Sequence, residues 1–230
     1  MIHELRRYTL RPGTQTEYLK HSTEVGRKVR GDRYGKLTGY WTAEVGPLNQ
    51  LYHLWTFASF EERARLRAEL DRNEEWQRYL PSIRPMMLAQ ENTILTAARP
   101  LRPPTGGGHV CELRTYRCHV GQANEWLTRF QEALPAREQY SPNVGLWSTE
   151  LAQLNQVVHL WVYPDLDARA DVRRRALQDP VWQALRESPR QRRFVRAIVV
   201  GVVSTSYSGR ILPPPANGSV RSRRISDSGH

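Results

Sequence analysis

Two histidines share one repeated setting. His53 stands in Asn49-Gln50-Leu51-Tyr52-His53-Leu54-Trp55, and His159 in Asn155-Gln156-Val157-Val158-His159-Leu160-Trp161, 106 positions further on. A neutral imidazole in an aromatic pocket can take a proton from an acidic C–H or phenol near pH 7. Strand alternation puts each histidine on the same face as the tryptophan two places on, Trp55 or Trp161. A second repeated group, Glu4-x-Arg6-x-Tyr8 and Glu112-x-Arg114-x-Tyr116, follows at a shift of 108. Arginine beside tyrosine suits a carboxylate or a developing enolate oxygen, and the glutamate suits a structural ion pair, since neither charge could be buried alone. Trp41 and Trp147 supply further flat walls.

The candidate catalytic residues are therefore His53 and His159. The candidate substrate-binding residues are Arg6, Tyr8, Trp41, Trp55, Arg114, Tyr116, Trp147 and Trp161, with Glu4 and Glu112 as structural partners. Each has a plainer alternative. The histidines would be buried groups satisfied by the glutamates, the Glu–Arg pairs would be internal ion pairs, and the tryptophans would be core. Trp76 and Trp182 fall on helical segments and read as packing.

The elements that must position these residues repeat as well. Residues 2–10 form a strand ended by Pro12-Gly13, with Glu4, Arg6 and Tyr8 on one face and Leu5 and Thr9 on the other. A helix is predicted from about Thr14 to Val29, then strands over 37–45 and 50–58. Ser59 and Glu62 make a capping-box pattern before a helix that runs through Leu70. A short helical piece around Trp76–Ile83 and a strand over 87–96 complete the unit. From Val110 the programme restarts, and 9 of the 17 positions from Gly39 to Trp55 recur identically after Gly145, which marks a duplication.

Each half is thus a split βαβ unit, and the fold class is α+β: two tandem ferredoxin-like (βαββαβ) units packed as an intrachain α+β barrel pseudo-dimer. The organisation is 1–98, a linker over 99–108, 109–206, and a disordered basic tail over 207–230. On the third strand of the second half, Val158, Leu160 and Val162 suit a helix-covered face. His159, Trp161 and Tyr163 suit the interior between the two sheets. The run Ala-Ile-Val-Val-Gly-Val-Val in the last strand predicts burial on both faces. If the two sites have diverged, that strand predicts the second as the plugged one.

Composition narrows the function classes. The net charge of +11 lies largely on helix faces such as Arg173-Arg174-Arg175 and in the tail, so it reads as solvated surface and not as a nucleic-acid stripe. No run approaches a membrane span, and no leader is legible, so a cytoplasmic location is expected. Cys111 and Cys118 would point to opposite strand faces as separate thiols. Phosphate loops, nucleophile elbows and zinc helices are missing from the sequence, so no metal and no cofactor is expected.

The Glu-Leu-Arg-x-Tyr openings, Trp41 and Trp147, and Leu-Asn-Gln followed by His-Leu-Trp resemble the NIPSNAP family, over about residues 2–97 and 109–206. That resemblance implies the dimeric α+β barrel superfamily. Its relatives include cofactor-free monooxygenases, small enzymes of aromatic or polyketide metabolism, and haem-degrading enzymes. Animal members are mitochondrial and are discussed as recruiting partners. The function expected is a small-molecule pocket protein in which the two halves enclose an aromatic or polyketide-like ligand. It would act as a cofactor-independent enzyme (proton transfer, cyclisation or oxygenation) in bacterial specialised metabolism, with His53 or His159 as base. The alternative is a non-enzymatic scaffold that binds a partner. The expected partner is a small organic molecule, and the barrels can pair again as a homodimer.

Overall fold

Strong turn residues and period-two alternation place the four strands of the first half where the sequence puts them, to within a residue, and four more repeat them in the second half. In the computed structural model, which describes residues 1–103, 110–187 and 194–204, the first half contributes β1 (Ile2–Leu10), β2 (Lys36–Val45), β3 (Gln50–Phe57) and β4 (Met87–Ala97). The second half contributes β5 (Val110–Cys118), β6 (Asn143–Leu151), β7 (Gln156–Tyr163) and β8 (Val195–Ser204). The expected tail and half of the expected linker, 104–108, lie outside the described residues.

The strands close into one barrel in the order β1-β3-β2-β8-β5-β7-β6-β4. Within each half the order is that of a ferredoxin-like sheet. The halves join where β2 pairs antiparallel with β8 and β4 with β6, so each unit covers the other's open edges.

Helices wrap the outside. In the first half these are α1 (Gln15–His21), α2 (Arg27–Arg30), α3 (Phe60–Asp71) and α4 (Glu74–Ile83). In the second they are α5 (Ala123–Glu138), α6 (Leu166–Ala176) and α7 (Pro180–Glu187). The Ser59 cap accepts the Glu62 amide at 3.1 Å, and the Glu62 carboxylate reaches back to the Ala58 amide. Asp165 caps α6 in the same way through the Ala168 amide at 2.7 Å. The single helix predicted over 14–29 is α1 and α2 joined through a π-helical turn, Ser22–Gly26.

The face assignment is the main correction. Val158, Leu160 and Val162 point into the barrel, where they pack with Trp41, Leu54, Leu95 and Trp147 from both halves. His159, Trp161 and Tyr163 point outward, beneath the helices. The alternation is as the sequence implies, but the driest volume is the inside of the closed barrel. The outer face must meet α3 and α6, which carry many arginines and few apolar side chains. Glycine explains how two tryptophans fit inside. A Cβ on Gly39 would stand 1.9 Å from the Trp41 ring, and one on Gly145 would stand 2.1 Å from Trp147, so each indole lies back over the glycine two places before it. Cys111 joins this interior and Cys118 the helix-covered layer, as separate buried thiols. The last strand is not buried on both faces: Ile198 is 49% and Val199 42% exposed. Ile198 lines a cavity between this sheet and its helices.

Candidate functional site

Each half holds its own cavity, between its sheet and its helices. The first, about 210 Å³, has Arg6, Tyr8, Tyr40, His53 and Trp55 on its floor. Its walls are Tyr18, Ser22, Arg30, Trp76 and Tyr79. The second, about 620 Å³, has Glu112, Arg114, Tyr116, His159 and Trp161 below. Trp126, Phe130, Arg137, Arg173, Trp182 and Leu185 surround it. The two halves therefore do not enclose one shared ligand space, and the second cavity, expected to be the plugged one, is the larger. Trp41 and Trp147 face the barrel interior and line neither cavity, whereas Trp76 and Trp182, which read as packing, line one each.

A buried carboxylate anchors each site. Glu112 is fully buried, and one of its oxygens accepts from Arg169 and Arg173, both at 2.7 Å, with Arg114 at 3.5 Å. Its other oxygen accepts the Tyr163 hydroxyl at 3.1 Å. Burial by itself would raise this carboxyl, but Arg114, Arg173 and Arg169 outweigh it and hold Glu112 below the usual range. Glu4 is the counterpart: Arg63 donates at 2.6 Å, Asn92 at 3.0 Å, and Arg6 stands 4.0 Å away. Burial is again overcome, here by the Arg63 hydrogen bond, Arg6 and Asn92. The ion pairs expected between Glu4 and Arg6 and between Glu112 and Arg114 are thus present, but as the weak members of larger clusters.

The strongest partners are arginines that sequence patterning missed. Arg63, Arg67, Arg169 and Arg173 extend down from α3 and α6 onto the floor. Arg30 lies 3.3 Å from the Trp55 ring centroid and Arg137 4.4 Å from that of Trp161. Arg137 also donates to Ser141 at 2.9 Å and to Tyr163 at 3.1 Å. Surface-like helical arginines gave no outward sign of this. The repeat shift of 106 between Arg63 and Arg169 and between Arg67 and Arg173 was the available signal. Arg6, Arg30, Arg63 and Arg67 thus gather about Glu4, and Arg114, Arg137, Arg169 and Arg173 about Glu112, an excess of positive charge beneath aromatic walls.

The histidines are buried on this floor. His53 stacks on Tyr40 at 4.5 Å and meets Tyr8 at 4.7 Å. His159 contacts Phe130 at 4.8 Å and Tyr116 at 5.0 Å. Neither is satisfied by a glutamate, and Nε2 of both lacks a partner. The Nδ1 atom of His159 accepts the Trp161 indole N–H at 2.5 Å, so a neutral His159 carries its proton on Nε2. Burial, then Arg114 and Arg137, hold His159 well below 6.5; burial, then Arg6, Arg30 and Arg27, do the same to His53. Protonating His159 at Nδ1 would also set two N–H donors against each other. The floor of the second site is therefore rich in donors: the buried, unpartnered Nε2–H of His159, and the Arg114 guanidinium, which donates to the Tyr116 hydroxyl at 2.9 Å.

Among the described residues, no three His, Cys, Asp or Glu side chains converge as a metal site requires, and no helix is long and apolar enough to cross a membrane.

Comparison with known proteins agrees with the fold. The NIPSNAP family profile matches residues 3–100 and 111–208. The chain is 31% identical over 196 residues to Protein NipSnap homolog 3A of Homo sapiens, covering 82% of this chain and 78% of the relative. A putative monooxygenase from Lactobacillus acidophilus superposes with a TM-score of 0.64 at 12% identity, over 88% of this chain and 92% of the other. An anthrone oxidase-like protein superposes with a TM-score of 0.64 at 14% identity, over 88% and 90%. At these identities the two structures establish the shared barrel architecture and nothing about chemistry.

Proposed function

The chain belongs to the NIPSNAP family, and from that premise we propose that its second half binds an aromatic or polyketide-like small molecule bearing an acidic ketone or phenol and stabilises the anion. The protein would act as a cofactor-independent enzyme of proton transfer. The observation that carries this reading is the 620 Å³ cavity with aromatic walls and a floor of donors with no carboxylate to spare. A volume of several hundred Å³ suits an extended ring system.

The chemistry follows from the floor. A ketone oxygen seated there meets the Arg114 guanidinium, with the unpartnered Nε2–H of His159 buried in the same floor. As the neighbouring C–H ionises, charge collects on that oxygen, and fixed donors on the cavity floor stabilise the enolate more than the ketone. A water molecule at the solvent-exposed edge of the cavity beside Ile198 takes the C–H proton, so the imidazole need not accept it. We assign His159 the role of donor to the oxyanion in place of base, because Trp161 occupies its Nδ1. Trp126, Phe130 and Trp182 flank the ring system, and Arg137 and Arg173 add positive potential. Among the reactions open to an enolate so held, return of the proton to a different carbon needs nothing further. Ring closure or reaction with dioxygen would depend on the ligand.

The test is hydrogen–deuterium exchange at the acidic carbon of tricyclic hydroxy-ketones, followed by NMR. The protein should accelerate exchange, and Arg114→Gln or His159→Phe should each slow it by roughly 10²–10³-fold. Exchange no faster than in buffer would contradict the enzymatic reading and leave the scaffold reading standing.

A further inference from the structure

We propose that the first-half cavity is a separate site, which takes a small aromatic monocarboxylate between Arg6 and Arg30. This does not rest on the reading of the second cavity, with which it shares no lining residue. The observation is a pair of under-neutralised cations, Arg30 buried and Arg6 half-buried. Glu4 is already engaged by Arg63 and Asn92, and its nearer oxygen lies 4.0 Å from Arg6, beyond hydrogen-bond reach. Arg30 is 6% exposed; its Nη2 makes a long 3.3 Å bond to the Tyr34 carbonyl, and its Nε, like that of Arg6, has no partner. The remaining carboxylate on the lining, Asp71, is exposed at the rim.

One carboxylate that Arg63 already engages leaves the two guanidiniums under-neutralised in a closed space, which is costly, and an anion there would relieve both. Burial, and next the charge of Arg6, lower the Arg30 guanidinium from 12.5 to about 9, in keeping with a cation that lacks its partner. His53, whose buried Nε2 has no partner, lines the same cavity. Tyrosine and tryptophan walls favour a flat ring behind the anionic group over a hydrated phosphate. The 210 Å³ volume limits the ligand to about one ring. The second half differs: there Arg114 and Arg137 both have hydroxyl partners.

The test is calorimetric and NMR titration of the full chain with benzoate, benzamide and inorganic phosphate. The expected result is one benzoate site, weakened about tenfold or more by Arg30→Gln and by Arg6→Gln and unchanged by Arg137→Gln, with benzamide and phosphate binding far more weakly. Should Arg30→Gln lose its native circular dichroism through its packing on Trp55, Arg6→Gln decides the matter. Absence of benzoate binding at millimolar concentration, equal binding of benzamide or phosphate, or a loss confined to Arg137→Gln would each overturn the proposal.

Discussion

The two cavities are built on one plan and differ at a few side chains that reset their size. Both have a Glu-x-Arg-x-Tyr strand, a His-x-Trp strand and an arginine pair from the following helix. Where the first half has Tyr18, Tyr40, Leu70 and Tyr79, the repeat shift places Trp126, Leu146, Ala176 and Leu185 in the second. Loss of the Tyr40 and Tyr79 rings and truncation at Ala176 open the space from about 210 to about 620 Å³. Polarity changes with it. The first cavity is walled by phenols whose hydroxyls burial pushes up, Tyr79 to about 12, and the second by indole, phenyl and alkyl groups. A duplicated fold can thus keep one electrostatic floor and change its ligand by changing the ceiling.

The helix above the floor diverges too. The π turn at Ser22–Gly26 accommodates one residue more than continuous α5 does, so Arg30 and Arg137 correspond at a shift of 107, between the 108 before and the 106 after. Ser22 in that turn accepts the Tyr40 hydroxyl at 3.0 Å. Its counterpart Phe130 instead packs against His159 and Trp161.

Four perturbations would break or sharpen this comparison. The largest effect is expected at the buried carboxylates. Glu112→Gln leaves three arginines without a buried counter-charge and should cost about 3–5 kcal/mol in urea unfolding. Glu4→Gln, with fewer close arginines, should cost less; the reverse order would contradict the cluster geometry. Next is Gly26→Ala, whose Cβ would stand 2.6 Å from the Tyr79 ring. It should cost about 1–3 kcal/mol by overpacking, although the equivalent position in the second half carries Leu134. A cost near zero would mean that Tyr79 does not seat on Gly26.

Refilling the second cavity with Leu146→Tyr and Leu185→Tyr should weaken tricyclic ligands about tenfold or more, while stability changes by less than about 2 kcal/mol. The smallest effect is the pH profile. Both histidines are neutral when folded and charge more readily when unfolded, so they support stability above 6.5 and that support is lost as pH falls below it. His3, lowered to about 4 by burial, extends the same loss down to that pH. Glu4 and Glu112, both depressed, add a further loss below 4.5. His159→Gln should flatten the upper part of the profile, as read by thermal melts between pH 7 and pH 5.

Much of the frame was legible in the chain. Alternation in β1, β3, β5 and β7 separated the two faces, and the Ser59 cap fixed a helix start. Which face turned inward was not legible, because both Val158-x-Leu160-x-Val162 and His159-x-Trp161-x-Tyr163 are largely apolar. Barrel closure, a long-range event at β2·β8 and β4·β6, decides between them. The site arginines were hidden for a related reason. Arg63 and Arg169 sit in charge-rich helices, where local pattern points to solvent, and only the pull of a fully buried glutamate turns them inward. The floor residues of β1, β3, β5 and β7 were found because strand spacing is local. Trp41 and Trp147 misled because bulk and flatness serve a core as well as a pocket.

The most direct measurement is a binding isotherm of a tricyclic hydroxy-ketone to the wild-type chain, to Leu146→Tyr with Leu185→Tyr, and to Tyr40→Leu. A single site weakened about tenfold or more by refilling the second cavity, and unaltered by Tyr40→Leu in the first, is the predicted result. An affinity indifferent to the second-half ceiling, or dependent on Tyr40 instead, would contradict the assignment of the larger cavity as the ligand site.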